Sequence, residues 1–111
     1  MINAARRQEL AKDVGKAVLA DMTSAFWVDT WTFSVALLVN EDVAELRKIL
    51  ASIEIPAANL GFDGIAKAAA TASRNLRPGI CQDFGALQAV MLRTCAAIEG
   101  TVATSSLRIP A

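Results

Sequence analysis

The stretch AFWVDTWTFSVALLV, residues 25–39, holds both tryptophans and two of the four phenylalanines of a 111-residue chain. Its single charge is Asp29. Two readings compete for it. As a strand, Trp31, Phe33, Val35, Leu37 and Val39 alternate with Thr30, Thr32, Ser34, Ala36 and Leu38, a period of two rich in β-branched and aromatic residues. As a helix, Trp27, Trp31, Ser34, Val35 and Leu38 share one stripe, and Asp29 or Thr30 can serve as the N-cap. A strand must satisfy its backbone on a partner. The chain offers only residues 52–55 and 101–109 for that role, both short, the first directly behind a helix. The missing partner decides for the helix.

Helical patterning continues outward on both sides. Upstream, residues 3–26 carry Leu10, Val14, Ala17, Val18, Met22 and Ala25 on one apolar stripe at i, i+3, i+4 spacing. Gly15 weakens its middle. Downstream, Asn40 reads as an N-cap, with Glu41 and Asp42 where a helix dipole favours anions. Val43, Leu46, Ile49, Leu50 and Ile53 line one face of a helix over about residues 41–53. Pro56 is expected to end it, because proline biases Ile55 away from the helical region. Residues 56–61 then read as a linker. Phe62, Ile65, Ala69, Ala72 and Leu76 come next at intervals of three and four, with Asp63 as cap, and their methyl-sized face invites close helix packing. Arg77-Pro78-Gly79 breaks the chain. A last helix is expected from Ile80 or Gln82 to Ala103, with Phe84, Leu87, Met91, Cys95, Ile98 and Val102 on its main stripe. Flanking alanines make it apolar nearly all round, as in a bundle centre or an oligomer seam. The tail TSSLRIPA reads as irregular.

The fold expectation is an all-α domain over residues 1–111, a four- to five-helix bundle packed up-down because its connections are short. The alternative is an α+β arrangement with a short strand at about residues 30–39. Composition agrees with helices. Hydrophobic residues are 54% of the chain and mean hydropathy is +0.40. About a fifth of the residues are alanine, the best helix former. Residues 25–39 are too few to cross a bilayer and are interrupted by Asp29. No apolar segment comes after the early arginines as a secretory signal requires. The expected home is the cytoplasm, with a membrane role disfavoured.

Charge is balanced, 11 basic against 11 acidic groups, and no basic stripe points to nucleic acid. The chain has no histidine and no tyrosine. No Ser-His or Cys-His pair and no histidine metal site is possible within one chain. Neither a catalytic residue nor a cofactor is expected. Cys81 and Cys95 lie too far apart along one helix for a disulfide, about 21 Å at 1.5 Å per residue. Cys95 reads as a core thiol. Cys81, near a helix start, is the more reactive candidate. Arg74 and Arg77 suit the end of a helix. Glu41, Asp42 and Glu45 form an acidic corner that reads as a solvated helix start, with docking of a basic partner as its other use.

Two functional expectations result. The first is a non-enzymatic accessory or interaction protein that self-associates, as a homodimer, since residues 25–39 and 62–103 supply more apolar surface than a small monomer covers easily. The second is a binder of a small apolar or cationic ligand, with Trp27, Asp29, Trp31 and Phe33 around a pocket between helices.

Overall fold

Gly15 divides what the periodicity joins. The expected helix over residues 3–26 is two helices, α1 (Ala4–Val14) and α2 (Lys16–Val39). Gly15 sits at φ +90°, ψ 154°, a region that side-chain-bearing residues rarely occupy. Its N–H donates to the Ala11 carbonyl and closes α1; its carbonyl accepts from Leu19 N–H and opens α2. The apolar stripe is blind to this break, because a glycine changes no hydrophobic spacing. The 25–39 stretch is thus the second half of a 24-residue helix. The computed structural model describes residues 2–79 and 82–106, with side chains as far as Ile98 in the last helix. Among the described residues there are five helices and no strand, so the α+β alternative is not adopted.

Other boundaries move as well. Asn40 is the C-cap of α2, not the N-cap of the next helix, and its Nδ2 donates to the Ala36 carbonyl at 3.3 Å. Asp42 caps α3 (Val43–Asn59), accepting from Ala44 N–H at 3.0 Å. The division has a chemical basis: an amide can donate to an orphan carbonyl, whereas a carboxylate only accepts. Pro56 lies inside α3 instead of ending it. Its exposed ring sits one residue before Ala57 and three after Ile53, both at zero exposure. Burial on that face offsets the roughly 3 kcal/mol that an interior proline costs. The expected linker of residues 56–61 shrinks to Leu60, Gly61 and Phe62, and α4 (Asp63–Arg74) begins directly after it. Asp63 is the first helical residue, not the cap. The last helix, α5 (Gly85–Ser106), starts later than expected and extends past Ala103. The expectations for Ile80, Cys81, the Val102 side chain and residues 107–111 lie outside the described residues.

Each helix packs on the next in the chain, and the shortest dimension is 18 Å, about two helix layers. The core runs through α3 and the corner beyond it. Leu46, Leu50, Ile53, Phe62 and Ile65 are fully buried, with Leu87 and Met91 reaching in from α5. Each such side chain stabilises the fold by roughly 2 kcal/mol. Ala69 supplies the close approach between α4 and its neighbours that its methyl-sized face predicts.

The two faces of α2 are both mixed in polarity. Of its six buried residues, Thr23, Thr30 and Ser34 carry hydroxyls, while Val18, Val28, Val35, Leu38 and Val39 lie exposed. The Thr23 hydroxyl donates to the Leu19 carbonyl at 2.8 Å, so its burial leaves no orphan donor. At 24 residues, α2 is also the one described helix long and apolar enough to span a bilayer, a length that residues 25–39 alone do not reach.

Glycine substitutions separate conformation from crowding. At Gly61 (φ +84°) an added Cβ lies 2.9 Å from the Arg7 Cγ and 3.1 Å from the Asn3 carbonyl oxygen; at Gly15 it meets nothing within 4 Å. Gly15→Ala is expected to cost about 1 kcal/mol from backbone strain alone, and Gly61→Ala about 2–3 kcal/mol, in urea unfolding monitored by circular dichroism. Equal losses would contradict the close approach at Gly61.

Candidate functional site

The four residues singled out in the sequence divide between two flanks of α2. Trp27 and Trp31 are one turn apart on one side; Asp29 and Phe33 are one turn apart on another. Trp27 belongs to an aromatic group at the α3–α4 corner. Its ring meets Phe26 edge-on at 5.1 Å and tilts against Phe62 at 5.4 Å, and Phe26 stacks on Phe62 at 5.2 Å. Phe62 is fully buried and Trp27 half-buried. Trp31 is half-buried further along the same flank.

This aromatic group already holds a cation. The Arg7 guanidinium lies 4.7 Å from the centre of the Phe62 ring. It also donates to the Leu60 carbonyl at 2.8 Å and to the Thr23 hydroxyl at 3.1 Å. Burial lowers its pKa from the ordinary arginine value, yet the last carbonyls of α3 favour the charged form. Arg6 adds a bond from Nε to the Asn59 carbonyl at 3.1 Å, and Asn3 N–H donates to the Gly61 carbonyl at 2.7 Å. Two arginines of α1 therefore cap the end of α3. Nothing in hydrophobic spacing announces that role; the adjacent pair Arg6-Arg7 is the only signal, and it reads equally well as a solvated face.

Asp29 is exposed and Phe33 half-buried. Together with Phe26, Thr30, Ile55 and Pro56 they line an open groove between α2 and α3 of about 450 Å³, in which neither tryptophan takes part. A second groove, of about 660 Å³, lies between α4 and α5. Its floor is Ala68, Ala72 and Leu87, and its rim includes Lys67, Arg77 and Asp83. The alanine face of α4 foretells the close helix pair but not the space beside it. At the end of α4, Arg77 donates to the Arg74 and Leu76 carbonyls at 3.2 and 2.9 Å, and Arg74 to the Thr71 hydroxyl at 3.2 Å, so both serve the helix terminus. In the acidic corner, Asp42 is committed as the α3 cap. Cys95 is half-buried on α5. Among the described residues, no group of three His, Cys, Asp or Glu side chains converges as a metal site.

Replacing Arg7 tests the internal cap. Arg7→Ala is expected to lower stability by about 2 kcal/mol through two lost hydrogen bonds and the ring contact. Arg7→Lys is expected to recover less than half, since an ammonium cannot reproduce the planar fork. Urea midpoints measure both, and full recovery by lysine would reduce the contact to simple charge. Comparison of the chain with protein-family models, with curated proteins and with solved structures finds no match.

Proposed function

We propose that the protein is a non-enzymatic interaction module of the cytoplasm that pairs with a second copy of itself through the outward face of α2. The large apolar side chains on the outward side of that helix carry the reading. Val28, Val35, Leu38 and Val39 are 61–74% exposed, while Thr23, Thr30 and Ser34 are buried. Exposed apolar residues scattered singly need no explanation, but several at helical spacing opposite a hydroxyl-bearing core face do. A second copy covers them at once, and two-fold pairs are the commonest oligomers. A lipid surface suits it less well: the outward face carries Asp21 and Asp29 and no basic rim, where interfacial helices carry lysine and arginine.

The groove beside Asp29 supports a second reading, a small cationic ligand with an apolar body. Its size lies within the range of small-molecule sites, it holds one carboxylate, and Ile55 is exposed within it.

Sedimentation equilibrium at tens of micromolar is expected to give a dimer, and Val28→Glu with Val35→Glu to weaken association roughly a hundredfold while leaving the helical spectrum intact. A strict monomer, or flotation of the wild-type chain with liposomes, would overturn the pairing. For the groove, an aliphatic quaternary ammonium is expected to raise the melting temperature of the wild type and not of Asp29→Asn.

A further inference from the structure

We infer that the pairing is an antiparallel coiled coil of α2 with itself, its two-fold axis crossing the helix between Phe26 and Trp27. This rests on the self-association proposed above and adds the seam and its direction. Val18, Asp21, Ala25, Val28, Thr32, Val35 and Val39 succeed one another at intervals of three and four, and every one of them is exposed. That is the a/d spacing of a left-handed coiled coil. It lies opposite the buried Thr23, Thr30 and Leu37, so α2 presents one row to its own core and another outward.

The order of residues along the seam selects direction. In an antiparallel pair centred between residues 26 and 27, Ala25 meets Val28 of the second copy, Val18 meets Val35, and Asp21 meets Thr32. Each contact occurs twice by symmetry, as an isologous interface requires. The two polar positions of the seam thus fall on each other and every other position in these pairs is apolar. The Thr32 hydroxyl donates to the Val28 carbonyl at 2.9 Å in the single chain; the facing carboxylate offers it a charged and stronger acceptor. A parallel pair would instead set Asp21 against its own copy in an apolar seam, two like charges at a desolvated position. Asp29 lies beside the seam, not in it, and reaches solvent in the antiparallel arrangement.

Cross-linking reads the direction. In a background of Cys81→Ala and Cys95→Ala that retains the wild-type helical spectrum and sedimentation behaviour, Val18→Cys and Val35→Cys chains of different mass are mixed and oxidised. The antiparallel seam gives the mixed disulfide. A parallel seam gives Val35→Cys homodimers, because positions 18 and 35 are then about 25 Å apart, beyond disulfide reach. In parallel, Thr32→Val alone is expected to weaken association about tenfold by stranding Asp21, and Asp21→Val with Thr32→Val to restore it. Homodimer bridges, or a dimer with no bridge at these positions, overturn the seam and leave self-association standing. A monomer by sedimentation removes both.

Discussion

Phe62 is where the parts of the fold meet. It is the last residue of a three-residue corner between α3 and α4, it is fully buried, and it touches α2 through Phe26 and Trp27 and α1 through Arg7. Gly61, at positive φ, turns the chain so that this ring faces inward and clears the space through which Asn3 and Arg7 approach. The corner therefore does two things with two residues. One supplies a backbone shape that only glycine takes easily, and the other supplies a ring broad enough to serve three helices. Remove the glycine's freedom and α1 loses its seat; remove the ring and α2 loses its closest aromatic partner.

A core built from that corner leaves α2 as a boundary element. Its inner side meets the rest of the protein through Leu19, Phe26 and Leu37, flanked by the half-buried Trp27, Trp31 and Phe33, with threonine and serine hydroxyls between them. Such a stripe buries less apolar area than a leucine row would, and the outer side offers more than solvent favours. Among the described residues, a two-layer arrangement only 18 Å thick has no third layer to cover it. Most of the large apolar side chains left exposed among the described residues lie on this one helix, with Val14, Ile55 and Leu92 elsewhere.

Periodicity makes much of the fold legible, and its failures share a cause. Leu46, Ile49, Leu50 and Ile53 are buried as their spacing predicts, and the absence of a strand partner decides correctly for a helix over residues 25–39. Hydrophobic spacing reports which face is apolar; it does not report what covers that face. Hence α2 reads as an ordinary core helix with Trp27, Asp29, Trp31 and Phe33 as neighbours, although a helix sends residues two apart to nearly opposite sides. The break at Gly15 and the continuation through Pro56 are hidden for a related reason. Single residues weigh little in a pattern, yet tertiary contacts decide whether a glycine bends or a proline is tolerated. The capping role of Arg6 and Arg7 is illegible because their partners are main-chain carbonyls some fifty residues away.

That distance has a consequence for the order in which the chain is built. The main helix pairings among the described residues join sequence neighbours, so most closures are short. The α1 contacts, Asn3 to Gly61 and Asp63, Arg6 to Asn59, and Arg7 to Leu60, span the N-terminal half of the chain. Closing that span carries the largest loop entropy of the described hydrogen bonds, and its acceptors exist only after α3 has ended and turned. The first fourteen residues thus act as a latch that engages a finished corner, adding little to the collapse of the protein and much to holding it shut.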